Sequence, residues 1–274
     1  MNLSESAQTA PEANLNAIAS PQPARCRLVL PHFQSLPTLK AYLPDLLRSL
    51  NSHAVPVEVK IVDDGSSRLM QKWILSWTKR LSQTHPELLD TQLLEQNHGK
   101  GYAIRQGWNG VSDSIELLAF VDADGSIPAD AVSNQLLAAL QEPHHLHCGI
   151  RPAPSRATRS LKRRFMAACF ATYARRMLRI EVKDPQCGFK MVPRSLYQQL
   201  HRRFKVNRFA FDCELLAHAA LLNTPIREVE LPWVESPTST VRSIRDGWRM
   251  MLDLRRIRRS LQLRNRLRRS GDTH

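Results

Sequence analysis

From Arg25 onward, short apolar runs rich in β-branched residues alternate with longer stretches of helical spacing, and this alternation constrains the fold more than any other feature. Arg27 to Leu30, Val55 to Val62, Leu89 to Leu94 and Ile115 to Val121 read as strands. Between them, Thr38 to Leu50, Ser67 to Ser82, Lys100 to Val111 and Ala129 to Gln141 read as helices, with Pro44 expected to kink or shorten the first. Strict alternation predicts an α/β architecture, a mostly parallel sheet with helices on both faces. Such sheets bind ligands at the carboxyl ends of their strands. Past a strand ending at Ile150 the alternation fails. Ser160 to Ile180 then reads as a helix, Cys187 to Val192 as a short strand, Phe209 to Leu222 as a helix and Ile226 to Val234 as an edge strand.

Three polar motifs fall at strand ends: Asp63-Asp-Gly-Ser66, Asn97-His-Gly-Lys-Gly101 and Asp122-Ala-Asp-Gly125. In the last, carboxylates at i and i+2 behind a buried strand can converge on one hard divalent cation and leave positions open for a diphosphate. A solvated turn gives the same triplet, and an ordinary helix N-cap gives Asp63-Asp-Gly-Ser66. The glycines around Lys100 offer backbone N–H groups and a cation to a phosphate ahead of a helix, although the spacing is not that of a Walker loop.

The net charge of +14 predicts anionic partners: nucleic acid, a phospholipid surface or a phosphorylated substrate. Eleven Lys and Arg residues stand against two acids between positions 151 and 190, and eleven arginines against two acids between 242 and 269. The helix Ser160 to Ile180 has an apolar centre and basic flanks, which suits a core helix or an interfacial membrane helix equally. Ser239 to Arg269 is helix-prone and imperfectly amphipathic, with Ile244, Trp248, Met251 and Leu252 on one side and Leu254, Ile257 and Leu261 on the next. It fits an anionic membrane surface, or a helix packed on the core with a basic tail. Five widely spaced cysteines indicate reduced, mostly buried thiols in a cytosolic setting. Residues 1–24 are polar and Pro-rich, are expected to be disordered, and are not expected to act as a secretory signal, since a basic start and a continuous apolar stretch are missing. The expected organisation is therefore that segment, one large domain over 25–238, and a basic helix and tail over 239–274.

Taken in order, Leu28-Val-Leu-Pro31, Val62-Asp-Asp-Gly-Ser66, Gly99-Lys-Gly101 with Arg105 and Gly107, and Val121-Asp-Ala-Asp-Gly125 resemble a family 2 glycosyltransferase of the GT-A fold. Asp184-Pro-Gln-Cys-Gly-Phe-Lys190, Arg208-Phe-Ala-Phe-Asp-Cys-Glu-Leu-Leu216 and Ile226-Arg-Glu-Val-Glu-Leu-Pro-Trp-Val-Glu235 are similar to the dolichyl-phosphate glucosyltransferase branch, kin of the dolichyl-phosphate mannose synthases.

That resemblance implies an inverting, metal-dependent transfer of a hexose, glucose first, from a nucleotide sugar to a polyprenyl phosphate. UDP-glucose is the first donor and GDP-mannose the alternative. It implies that Pro31 and Phe33 line the nucleobase pocket, that Asp63 and Asp64 hold base and ribose, and that Lys100 and Arg105 lie near the nucleotide. Asp122 and Asp124 would hold Mg or Mn, with Asp124 counted among the catalytic groups. Ser126 stands where the mannose synthases carry a third ligand, Gln, and water is the alternative there. Arg151 and Arg163 would clamp the acceptor phosphate, since guanidinium forks suit phosphate oxygens, and Arg242 would supply a cation the family usually takes from a Gly-Ser-Lys. A lipid monophosphate, largely dianionic at neutral pH, needs no protein base. The implied surroundings are the cytoplasmic face of an anionic membrane, with a membrane partner subunit as an option and no nucleic acid. Two rivals remain: the same enzyme with a sugar, glycolipid or cell-wall acceptor, and a non-catalytic basic module for membrane or nucleic acid.

Overall fold

The computed structural model describes residues 23–152, 161–234 and 243–271. The expected disordered segment, all but its last two residues, and Arg242 lie outside these. In chain order the elements are β1 (Cys26–His32), α1 (Leu36–Ser52), β2 (Val57–Asp63), α2 (Arg68–Leu81), β3 (Gln92–Leu93), α3 (Lys100–Gly107) and β4 (Leu117–Val121). Then follow α4 (Ala129–Gln141), β5 (Leu146–Ile150), α5 (Leu161–Leu178), β6 (Phe189–Pro193), α6 (Arg194–Leu200), α7 (Phe211–Leu221), β7 (Ile226–Glu230) and α8 (Ser243–Gly271).

The described strands form one sheet in the order β3-β2-β1-β4-β6-β5-β7. All neighbours pair in parallel except β6, which runs antiparallel between β4 and β5. Period-two alternation sends Leu28 and Leu30 to one face and Val29 to the other. The first face is covered by leucines of α1 and α4, the second by α3, α6, α7 and the inner side of α8. β1 and β4, covered on both sides, are accordingly apolar almost throughout.

Four expectations need correction. The strand expected over Leu89 to Leu94 shrinks to Gln92–Leu93, the two residues that pair with Val62 and Asp63 at the end of β2. Pro44 does not shorten α1, which continues to Ser52: the leucines at 36, 39, 43, 46, 47 and 50 are buried as one stripe, and their burial outweighs the backbone bond that Pro44 removes. The helix expected to reach Val111 stops at Gly107, where Trp108 turns inward and its indole N–H donates to the Ala119 carbonyl at 3.0 Å. The last strand ends at Glu230 rather than Val234, because its parallel ladder with β5 stops at Ile150.

Both basic helices are packed on the core. Ala174 and Leu178 of α5 are buried, as are Met250, Leu254, Ile257 and Leu261 of α8, while Trp248 and Leu252 face outward. Cys26, Cys148, Cys187 and Cys213 are buried free thiols and Cys169 is exposed.

Candidate active site

The ends of β1, β2 and β4 lie side by side, so the three strand-end motifs gather on one edge. Asp63 closes β2 fully buried. His32 Nδ1 lies 2.8 Å from its Oδ2, the Ser66 hydroxyl donates at 2.6 Å, and the Ser66 N–H and the Gln71 amide donate to Oδ1 at 2.9 and 3.1 Å. The Ser35 N–H donates to His32 Nε2, which leaves the imidazole proton on Nδ1 and makes that ring a donor to Asp63. Burial works against the charge, but these donors outweigh it and hold Asp63 below the usual carboxylate range. Asp64 clasps the next motif: the Gly99 and His98 N–H groups donate to it at 2.7 and 2.8 Å and the Asn97 amide at 2.9 Å. Here burial prevails and raises the carboxyl above its ordinary range.

That clasp fixes Gly99 at φ +108°, a backbone setting that favours glycine. It starts α3 with Lys100 directed at the third motif. Lys100 Nζ lies 2.7 Å from Asp122 Oδ1 and 3.7 Å from Asp212 Oδ2, above the Phe120 ring. Burial opposes its charge, yet the two carboxylates hold the ammonium above its ordinary pKa. Behind it, Lys190 of β6 is fully buried, donating to Asp212 at 3.0 Å and to the Cys187 carbonyl at 2.9 Å. A buried lysine without such partners would lose its proton; this one is pushed the other way by Asp212 despite its desolvation.

Asp122 continues the β4–β6 ladder, its N–H donating to the Gly188 carbonyl at 2.9 Å. A Cβ at Gly188 would lie 2.1 Å from Asp122 Oδ2, so only glycine leaves room for that carboxylate. Burial raises the Asp122 carboxyl, with Lys100 opposing. Asp124 makes a tight turn, its Oδ1 accepting from the Ser126 N–H at 3.0 Å, while Ser126 itself is buried and its carbonyl accepts from Val234. The donor set is thus two carboxylates on one turn; among the described residues no three His, Cys, Asp or Glu side chains cluster to hold a metal. Two hard oxygen donors with remaining positions open fit Mg or Mn shared with phosphate oxygens.

Other expected site residues are placed less centrally. Pro31 is half-buried at the end of β1, and Phe33 is exposed beyond it. Arg105 turns from the strand ends toward Asn207 and the Gly101 carbonyl, lying over the Tyr102 and Phe204 rings. Arg151 grips Asp184 with two bonds of 2.6 and 2.8 Å and covers the Trp233 ring at 5.3 Å. Arg163 lies on α5, with nothing described of its side chain. Gly188 and Lys190 fall within the Asp184 to Lys190 motif, but the sequence assigns neither a place in the site. A lysine within the apolar run Cys187 to Val192 was the available signal for the second.

Residues 28–200, more than half of the chain, match the model of the family described as glycosyl transferase family 2. The chain belongs to that family. Its curated relatives include the dolichyl-phosphate beta-glucosyltransferase of Dictyostelium discoideum, 28% identical over 243 residues, 84% of this chain and 73% of the relative. The protein of the same name from Mus musculus is 32% identical over 186 residues, 65% of this chain and little more than half, 56%, of the relative. Among solved structures, glucosyl-3-phosphoglycerate synthase from Mycobacterium tuberculosis in complex with Mn2+, UDP and glucosyl-3-phosphoglycerate superposes with a TM-score of 0.55 at 18% identity, covering 88% of this chain and 80% of that one. The fold is the GT-A glycosyltransferase fold.

Proposed function

We propose that this family 2 glycosyltransferase moves a hexose, glucose first, from a nucleotide diphosphate sugar to a polyprenyl phosphate, with inversion at the anomeric carbon. The observation that carries the reading is the Asp122-Ala-Asp124 turn: a carboxylate pair at the centre of the sheet edge, steered by Lys100 and left room by Gly188. The curated relatives' names support the acceptor and the sugar, and the Mn2+ and UDP of the structural relative support the metal and the nucleotide.

In this reading Asp122 and Asp124 hold Mg or Mn, with Ser126 or water as a further oxygen donor. The metal supplies Lewis-acid stabilisation of the departing nucleoside diphosphate. Lys100 orients the Asp122 carboxylate and offsets its charge, and the Lys190–Asp212 pair fixes Lys100 in turn. Pro31 and Phe33 border the nucleobase. Asp63 and Asp64, occupied by the protein's own donors, shape the base and ribose pocket mainly by holding their turns. The acceptor phosphate is its own nucleophile, so the protein has to bind rather than deprotonate it. Arg151, set by Asp184 and Trp233, is the anchored cation for that phosphate, with Arg163 as a further candidate, and Arg242 is the cation proposed for the nucleotide sugar.

The enzyme works at the cytoplasmic face of a membrane. Among the described residues no helix is long and apolar enough to cross one, and the exposed Trp248 and Leu252 among the arginines of α8 suit contact from one side. Transfer to a short polyprenyl phosphate, assayed with UDP-glucose and GDP-mannose in the presence of Mn, tests the reading. Metal-dependent transfer from UDP-glucose, lost in Asp122→Ala, is the expected result. Full activity of that variant, or of the wild type in excess chelator, would overturn the metal assignment.

A further inference from the structure

One open cavity lies away from the Asp122 turn. A hollow of about 780 Å³ lies between α8 and the segment 205–208, touching His98 but neither Asp122 nor Asp124. Its walls carry Lys205, Arg208, Arg249, Arg255, Arg256 and Arg259, against a single lining carboxylate, Asp253. Asp253 is only loosely engaged, 3.9 Å from Arg256. Six cations around a cavity repel one another, and an anion with several oxygens relieves that repulsion.

The cavity is built on a firm base. Met250, Leu254, Ile257 and Leu261 anchor the opposite side of α8 in the core, so the lining arginines are held outward. The facing wall is tied to α3: the Asn207 carbonyl accepts from the Tyr102 N–H at 2.9 Å, and Gly99 packs so closely on Arg208 that a Cβ would lie 2.5 Å from its Cγ. On the same outward side of α8, Leu252 lines the cavity and Trp248 stands one turn before it, 58% and 68% exposed. An amphipathic indole and a leucine beside clustered arginines match the boundary between lipid headgroups and acyl chains.

We propose that this cavity is a second phosphate site, separate from the Asp122 turn, which takes the headgroup phosphate of an anionic phospholipid while Trp248 and Leu252 enter the bilayer boundary. The inference rests on the membrane location proposed above and is independent of the donor and acceptor. Occupancy would orient the enzyme by a defined pocket rather than by diffuse charge, and would brace the wall against which Gly99 and Lys100 are set.

The test is co-sedimentation of the full chain with vesicles of phosphatidylcholine, with and without phosphatidylglycerol. Two double variants empty the cavity of charge, Arg208→Gln with Arg256→Gln and Arg255→Gln with Arg259→Gln; a third, Lys72→Gln with Lys79→Gln, removes equal charge from the exposed side of α2. The cavity pairs should weaken binding to the anionic vesicles about 10- to 30-fold, and Trp248→Ala should weaken it further, with the α2 pair near wild type. Equal weakening by all three double variants, or by none, overturns the pocket and leaves the membrane location standing. Failure of the wild type to bind either vesicle overturns both. Thermal stabilisation by glycerol phosphate matching that by anionic vesicles overturns the lipid as occupant. Donor hydrolysis without vesicles reports separately on the glycosyltransferase reading.

Discussion

At the end of β2, Asp63 and Asp64 spend their oxygens on the protein's own donors, from His32, Ser66 and Gln71 on one side and Asn97, His98 and Gly99 on the other. At the end of β4, Asp122 and Asp124 have one lysine and one turn N–H between them. Both pairs occupy the same edge of the same sheet. The first is consumed in holding two loops, whereas the second keeps coordination capacity for a ligand. An acidic pair at a strand end is therefore read by what already fills its lone pairs, since a carboxylate with satisfied oxygens contributes stability and one with spare oxygens contributes chemistry.

Exchanging the damage between the pairs is the strongest way to break this contrast. Asp122→Ala should lower turnover by about 10³-fold or more, roughly 4 kcal/mol of transition-state stabilisation, while its melting temperature stays close to wild type. Asp64→Ala should do the reverse in chemical denaturation, costing about 3 kcal/mol as the His98 and Gly99 N–H groups lose their acceptor. A large stability loss in the first variant, or none in the second, would erase the distinction.

Glu214 provides a third kind of carboxylate: buried, accepting from the Lys205 and Val206 N–H groups at 2.7 and 3.0 Å. Burial outweighs those donors and pushes its pKa up to about 7, from an ordinary 4.5. The folded state therefore binds the proton more tightly than the unfolded chain. No penalty arises below pH 4.5, and stability falls as pH rises from there to about 7, by on the order of 3 kcal/mol. Glu214→Gln should flatten that portion of the stability–pH curve in urea titrations; an unchanged slope would show that the bound N–H groups already keep Glu214 ionised.

Gly188→Ala sharpens the comparison from the other side. A methyl group 2.1 Å from Asp122 Oδ2 must displace the carboxylate, so turnover should drop about 10- to 100-fold with the metal requirement for half-activity rising in parallel. The smallest effect belongs to Tyr42, whose ring lies under Gly125 and whose hydroxyl is buried with no partner among the described residues. Tyr42→Phe should leave stability unchanged or raise it by about 1 kcal/mol in thermal denaturation. A loss of activity in Tyr42→Phe at unchanged stability would instead extend the site into α1.

Much of the first half of the chain was legible because its structure is local. Each strand, turn and helix from Cys26 to Gln141 is written in consecutive residues, and the boundaries of α4 coincide with those read from spacing. The second half resists that reading. No local pattern shows that β6 reverses direction to insert between β4 and β5, or that this register brings Lys190 opposite Phe120 and under Asp212. Arg151 and Arg105 read as cations for a phosphate or nucleotide; only the fold shows that Asp184 holds the first and Asn207 the second.

The sequence by itself determined the α/β class, the sheet edge that carries the chemistry and the residue types placed on it, because period-two and helical spacing, glycine turns and paired carboxylates are properties of adjacent residues. Only the tertiary structure decided which carboxylates remain available, which cations are already paired and which face of α8 is turned outward. Those outcomes depend on hydrogen bonds and burial between segments tens to hundreds of residues apart, and on β6, which runs antiparallel between β4 and β5.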